Sequence, residues 1–380
     1  MGETSSRKME HIRMVAEAGV ESRESTLLEN VRIVHNPLPE IDLDDVDLST
    51  GFCGTSKMLK APLMITGMTG GHPDVAWINR ELASLAEEMG IAFGVGSQRA
   101  AIEDPSLEST FSIAREAAPN TIVVANLGAP QLSRGYGVRE ARKAVEMINA
   151  DALAIHLNPG QEAYQDEGDP YYSRVVERII EIADSLDVPV IVKETGTGIP
   201  GEVVRLLYRS GVRCFDVSGL GGTNWIKVEV LRSKKRHGAP LRPAGPLSDY
   251  WGNPTAVSIV EARLAAPGSY IIASGGVRNG LDAGKGIALG ADMAGVALPV
   301  LRALLNGGRD AAKRLLESII YQLSTILFMT GSRRVEDLWL APVVVYGRLR
   351  WELEARGIDV DGYISRGRVE ALLWRRRYST

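Results

Sequence analysis

Eight times along this 380-residue chain a short apolar stretch ends in glycine or small polar residues and gives way to an amphipathic helical pattern. The apolar stretches read at Pro62–Thr66, Ile91–Val95, Thr121–Ala125, Ala152–Leu157, Pro189–Val192, Val212–Val217, Ile271–Ala273 and Met293–Leu298. Helices are predicted at Asp74–Met89, Ser106–Ala117, Val138–Asn149, Tyr172–Leu186, Glu202–Arg209 and Pro254–Ala265, and from an Asn279 N-cap through Ala288. Continuous apolar strands alternating with helices are the pattern of parallel strands joined by helical crossovers and buried on both faces. Five or six such units would suit an open doubly wound sheet. Eight favour closure, so the fold class predicted is an α/β (β/α)8 TIM barrel.

The seventh unit is the most informative. In Ile271-Ile272-Ala273-Ser274-Gly275-Gly276-Val277-Arg278-Asn279-Gly280 a buried strand stops at Ser-Gly-Gly, and a helix starts at Asn279. Glycines let backbone approach closely, and free N–H groups at a helix N-terminus attract phosphate. In this barrel the phosphate site sits in the loops after strands seven and eight. The plainer reading is an ordinary tight βα turn. A second glycine run, Gly196-Thr197-Gly198-Ile199-Pro200-Gly201, matches GxGxxG after a strand, with Asp216 downstream, and so imitates a dinucleotide fingerprint. Pro200 inside it, and four strands that a Rossmann unit would leave unexplained, argue against that reading.

Three regions follow: an N-terminal arm and lead-in over 1–61, the barrel over 62–310, and a C-terminal helical extension over 311–380 packed on the barrel. The arm carries Arg7, Lys8, His11 and Arg13 on a predicted helix capped by Ser6; a solvated basic face is the bland alternative. The lead-in, with Pro37, Pro39 and the acidic Asp42–Asp45, is expected to cover the barrel bottom. Asn224–Asn253 is a longer excursion. The extension reads as a helix at Ala311–Thr330, a segment at Arg333–Leu340, and an Arg-rich helix through Trp374. Net charge is −4, with no long basic block or Arg/aromatic stripe, which points to small-molecule partners and away from nucleic acid and anionic membrane. No apolar run reaches the roughly 18 residues of a membrane span, and residues 1–30 are charged throughout, so a cytoplasmic protein without a signal peptide is expected. Cys53 and Cys214 have no metal-ligand spacing, and no disulfide is expected between them.

Barrel enzymes build their sites from residues just after each strand. That rule selects Thr66–Thr69, Ser97–Arg99, Asn126, His156–Glu162, Lys193, Ser218–Asn224, Gly275–Gly276 and Ala297–Leu298. Lys193 ends an apolar strand, where a lysine is costly unless paired. It is either a salt-bridge partner of Glu194 or a fixed cation facing an anionic ligand. His156 is a candidate site residue or a satisfied core histidine. Glu162, beside Gln161, is a solvated loop acid or a magnesium ligand; Mg2+ binds through one or two carboxylates plus substrate phosphates.

These stretches, in order, resemble the type 2 isopentenyl-diphosphate isomerases, the FMN-dependent form. The resemblance is carried by Thr4-Ser5-Ser6-Arg7-Lys8-Met9-Glu10-His11-Ile12, Met64–Gly71, Gly96-Ser97-Gln98-Arg99, His156-Leu157-Asn158-Pro159-Gly160-Gln161-Glu162, Lys193–Gly196, Ser218-Gly219 with Gly221-Gly222-Thr223, and Ser274–Gly276. The glycine turns are shared with many FMN barrels, whereas the N-terminal signature and Gln161-Glu162 discriminate. The resemblance implies interconversion of isopentenyl and dimethylallyl diphosphate on a (β/α)8 barrel with FMN and Mg2+, NAD(P)H as reductant, and a homotetramer or homo-octamer. It implies FMN contacts at Thr66, Gly67, Met68, Thr69, Ser97, Asn126, Lys193, Ser218, Thr223, Gly275, Gly276, Ala297 and Leu298. It implies diphosphate contacts at Arg7, Lys8, Ser97, Gln98, Arg99, His156, Asn158 and Gln161, and Mg2+ at Glu162. Lys193, His156 and Gln161 are the implied catalytic residues, with Trp225 in the pocket wall and the arm closing as a lid.

Rival readings remain open on the residues alone. A flavin-dependent 2-hydroxy acid oxidase would want a histidine where Ser218–Gly222 stands, and the next histidine is His237. A nucleotide dehydrogenase would want its cysteine in that loop, and Cys214 falls inside the strand. A Schiff-base aldolase would use Lys193 without a flavin, and a phosphate-ligand sensor would bind without turnover.

Overall fold

Eight parallel strands close into a barrel: β1 (Leu63–Ile65), β2 (Ala92–Gly94), β3 (Val123–Gly128), β4 (Ala152–His156), β5 (Val190–Lys193), β6 (Cys214–Asp216), β7 (Tyr270–Ala273) and β8 (Met293–Val296), with β8 hydrogen-bonded back to β1. The computed structural model describes residues 3–17 and 19–367, with side chains over 8–16 and 19–365. The strands are shorter than the apolar runs because pairing stops where the chain turns into its helix.

The period of two along each strand divides the core. Leu63, Ile65, Phe93, Val123, Leu153, Ile155, Val192, Phe215 and Ile271 point outward under the helices. Met64, Ala92, Val124, Ala152, Ala154, Ile191, Cys214, Ile272 and Met293 form a separate cluster inside the barrel. Phe52, Cys53 and Leu59 join that inner cluster, so the short hairpin of Thr50–Gly51 and Met58–Leu59 plugs the bottom. Tyr270 fixes it there by donating its hydroxyl to Gly51 O at 2.9 Å.

The plug corrects one expectation. Cys53 and Cys214 are disulfide-bonded, with Cα atoms 5.9 Å apart across 161 positions of sequence. Spacing along the chain held no trace of this pair, because they meet only when the lead-in enters the barrel under β6.

The chain's two ends meet outside the barrel, where Val31–Ile33 pairs antiparallel with Val343–Val345. The helix Leu298–Phe328 spans the expected boundary at 310 and is broken at Gly308, whose φ is 70°. Beyond it come a 3-10 turn at Val335–Trp339 and a helix at Gly347–Ala355; the rest of the Arg-rich helix expected through Trp374 lies outside the described residues. At the other end helix α1 (Glu3–Glu17) already runs through Ser6, which therefore does not cap it. After β4 the chain makes a short helix α2 (Pro159–Tyr164), and the excursion after β6 contains helix α3 (Trp225–His237), which no periodicity had predicted. Helices α1 and α3 both pack over the barrel mouth.

Candidate active site

The last inward position of each strand lies at the mouth, and there the apolar series turns polar. Backbone register sets His156 on β4, Lys193 on β5 and Asp216 on β6 side by side at one level. Thr66, Asn126 and Ser274 occupy the corresponding positions after β1, in β3 and after β7, all buried. Lys193 does not pair with the Glu194 carboxylate. Its ammonium donates to the Glu194 backbone carbonyl and lies 3.7 Å from Asp216 Oδ2. His156 Nδ1 lies 2.8 Å from Asn126 Oδ1, an acceptor, so Nδ1 carries the proton. Burial, then the charges of Lys193 and Lys8, bring the His156 pKa down to about 3 and keep the ring neutral.

Glu194 explains the misleading glycine run. Its Oε2 accepts from the backbone N–H groups of Thr195, Gly196, Thr197 and Gly198, and Oε1 from the Thr197 hydroxyl at 2.8 Å. The nest that GxGxxG offers to a phosphate is filled by the chain's own carboxylate. The turn after β7 differs. Gly275 and Gly276 have φ of +92° and +76°, and a Cβ on either would collide with the backbone of the turn after β6. Only glycine suits that conformation and that approach. Beside it the guanidinium of Arg278 lines the cavity, with a hydrogen bond to Val277 O and no ion pair among the described residues.

Across the cavity, α2 carries a second polar wall. Asn158 Nδ2 donates to Gln161 Oε1 at 3.1 Å and to Glu162 Oε1 at 2.8 Å, and the Asn158 amide is in turn held by the Tyr172 hydroxyl. Glu162 is buried, not a solvated loop acid, and its Oε2 accepts from Asp169 N at 2.7 Å. Arg99 bridges Glu103 and Asp169 at 2.7 and 3.0 Å. Among the described residues no three His, Cys, Asp or Glu side chains form a group able to hold a metal, so a divalent ion at Glu162 would need ligand oxygens from a substrate.

Thr66, Gly67, Met68, Ser97, Asn126, Lys193, Ser218, Thr223, Gly275, Gly276, Ala297 and Leu298 line one cavity, together with Lys8, Arg99, His156, Asn158, Gln161, Glu162 and Trp225. Two residues depart from the expected set. Gln98 is fully buried behind β3, accepting from Asn126 N and donating to Ala144 O, so its amide serves the scaffold. Thr69 does not line the cavity, and its buried Oγ1 has no hydrogen-bond partner among the described residues. The side chain of Arg7 lies outside the described residues.

Helix α3 supplies what strand-end reasoning missed. Glu229 is buried at the centre of a network: Oε1 meets His11 Nε2 at 2.8 Å and Gln161 Nε2 at 3.0 Å, and Oε2 meets Arg232 Nε at 2.7 Å. Arg232 continues to Glu167 and Glu10. Burial opposes ionisation of Glu229, but His11, Arg232 and the Gln161 amide outweigh it and bring the pKa to about 2. His11 also stands edge-on to Trp225, ring centroids 5.2 Å apart. The arm is thus tied through α3 to Gln161 in the site. Asp216 was likewise passed over, standing one residue before the strand-end turn.

A closed barrel, a glycine turn after β7 and a polar cavity at the mouth define a (β/α)8 protein with its candidate site at the C-terminal end of its strands. Residues 173–343 match the family model of the FMN-dependent dehydrogenases. The fold is similar to that of flavocytochrome b2 (TM-score 0.64, 18% identity, 92% of this chain and 85% of that one) and Pediococcus acidilactici lactate oxidase (0.61, 19%, 91% and 93%). In sequence the chain is 67% identical to the isopentenyl-diphosphate delta-isomerase of Aeropyrum pernix over 98% of this chain and 99% of that protein. It is 46% identical to that of Metallosphaera sedula over 94% and 97%. The chain belongs to the isopentenyl-diphosphate delta-isomerase family.

Proposed function

We propose that this protein interconverts isopentenyl and dimethylallyl diphosphate by a 1,3-allylic proton shift, supplying isoprenoid precursors, with reduced FMN as acid-base group and Mg2+ at the diphosphate. One observation carries the reading: a single cavity is lined by two groups of residues, each with the chemistry to take a phosphate. The first is the Gly275–Gly276 cradle with Arg278. The second is the wall of Lys8, Arg99, Asn158, Gln161 and Glu162.

The residues present fit FMN. The Gly275–Gly276 turn can sit at the cavity wall, close against the turn after β6, only because it carries no Cβ; Ser218 and Thr223 bring hydroxyls to the same cavity, and Lys193 offers a cation at the floor. When bound and reduced, FMN would supply an electron-rich ring carrying hydrogen at N5, an acid-base group beside an apolar neighbour of a kind the described cavity wall does not offer. Lys193, an ammonium at the cavity floor, would stabilise the negative charge of a reduced ring bound there. Neutral His156, with its proton on Nδ1, accepts one hydrogen bond at Nε2 without adding a second cation. Gln161 is oriented at both ends, by Asn158 and by Glu229, and so presents a fixed amide to substrate. Glu162 with substrate oxygens would hold Mg2+. The α1 helix, resting on α3, keeps water from the reacting carbons.

Isomerisation is redox-neutral, yet turnover is expected only after NAD(P)H or dithionite, in catalytic amounts, has reduced the flavin. In deuterated water, label should enter isopentenyl diphosphate at carbons next to the shifted double bond. Full activity with strictly oxidised FMN under oxygen would overturn the flavin's role. Steady oxygen consumption with a 2-hydroxy acid would overturn the substrate as well. Glu162→Gln should keep FMN bound and raise the Mg2+ needed for half-maximal rate about tenfold or more, the usual scale for altering a ligand sphere; wild-type rates at low Mg2+ would remove Glu162 from the metal.

A further inference from the structure

Lys193 is the floor cation that the reading above assigns to the flavin, and among the described residues its one ion pair is with Asp216. Asp216 is 2% exposed and points into the barrel from β6, on the register step beside Lys193. Three donors converge on it: the Lys193 ammonium at 3.7 Å from Oδ2, the Ser274 hydroxyl on Oδ1, and the backbone N–H of Ser218. Asp216 and Lys193 also line a small void beneath the mouth, whose other walls are mainly apolar, such as Met64 and Ile272. A charge pair so placed is weakly screened, so each charge strongly alters what the other does to a ligand above it.

We propose that Asp216 is a positioning residue for Lys193, holding the ammonium at the cavity floor and offsetting its charge, and thereby setting how far the pocket favours reduced over oxidised flavin. The proposal rests on the FMN reading. An unopposed ammonium would stabilise a reduced, negatively charged ring strongly and bind it tightly. Burial pushes the Asp216 carboxyl up, while Lys193, the Ser274 hydroxyl and the Ser218 N–H favour its ionised form; ionised, it tempers the preference, and the ammonium stays aimed by its partners. Ser274 belongs to the same device, because its hydroxyl favours the ionised carboxylate.

The test is an anaerobic spectroscopic redox titration of the FMN-loaded protein. Asp216→Asn keeps the shape and the Ser274 contact and removes the charge. It should favour reduced over oxidised FMN by about tenfold, which is ~30 mV upward for a two-electron couple. In a Lys193→Met background, measured at saturating FMN, the same substitution should no longer move the potential, as a double-mutant cycle requires if Asp216 acts through Lys193. Ser274→Ala, a smaller change, should shift the potential the same way by less, and it decides the matter if Asp216→Asn does not accumulate as folded protein. An unmoved or lowered potential in the deciding variant, or a shift that persists without Lys193, overturns the proposal. A wild-type protein that takes up no FMN overturns the cofactor reading and this inference with it; one that binds FMN while the variants titrate alike overturns the inference alone.

Discussion

The two ends of the barrel are built from the same eight strands and behave as opposites. At the bottom, inward positions are apolar and are sealed by Phe52, Cys53 and Leu59, with a covalent bond from the plug to β6. At the mouth, two residues further along the same strands, inward positions are Asn126, His156, Lys193 and Asp216. Buried polar groups lower stability unless paired. The mouth satisfies most of them mutually, through pairs such as His156–Asn126 and Lys193–Asp216, and leaves open the sides that face the cavity. Stability is concentrated at one end so that the other can carry charge.

The comparison can be broken most forcefully from below. Removing the disulfide with Cys53→Ser or Cys214→Ser frees a loop of 161 positions in the unfolded chain, a change of about 5 kcal/mol in the chain-entropy view. Melting should fall by many degrees while the visible spectrum of bound FMN and the KM stay put. A change in KM would show that the two ends are coupled.

Lys193→Ala attacks the mouth. It leaves Asp216 buried without its cation, a loss of about 3–5 kcal/mol in stability, and it should lower turnover at least 100-fold and weaken FMN binding. Calorimetric FMN titration and steady-state rates check this; wild-type FMN affinity would mean the floor cation faces no flavin.

On the arm, Lys8→Ala and Arg7→Ala should raise the KM for the diphosphate about tenfold with little change in melting, as expected for charge-assisted contacts worth roughly 1.5–3 kcal/mol. An equal fall in melting temperature would make the arm a structural strap instead.

The last effect is graded with pH and concerns protons. His156 titrates at about 3 when folded against 6.5 ordinarily, so between those values the unfolded chain binds a proton that the folded chain does not. Stability is therefore whole above pH 6.5 and falls on acidification, by up to about 1.4 kcal/mol per pH unit from this group. His156→Gln should flatten denaturation midpoints measured between pH 6.5 and 4. An unchanged slope would show that the ring is not held neutral.

Much of this was legible beforehand because it is local. Alternation of short apolar runs with helices needs only neighbouring residues, and it fixed eight strands. Small and polar residues at their ends marked most of the cavity wall, and the Asn279 cap is observed, its side chain accepting from Asp282 N. Helix α3 escaped because the face it buries is itself polar: Glu229, Arg232 and Ser233 sit inside with Ile226 and Val228, so no apolar stripe of period 3.6 appears.

What the sequence by itself determined is the period of two that sends Lys193 and Asp216 inward, and the glycines that let the turn after β7 lie against the turn after β6. What only the tertiary structure decided is which groups meet. Register between β5 and β6 pairs Lys193 with Asp216 instead of Glu194; entry of the plug joins Cys53 to Cys214; and Glu194 folds back to fill one glycine nest while the turn at Gly275–Gly276 lines the cavity. Charges and thiols far apart in sequence act on each other only when the closed barrel brings them within a few ångströms, and closure is a property of all eight strands together.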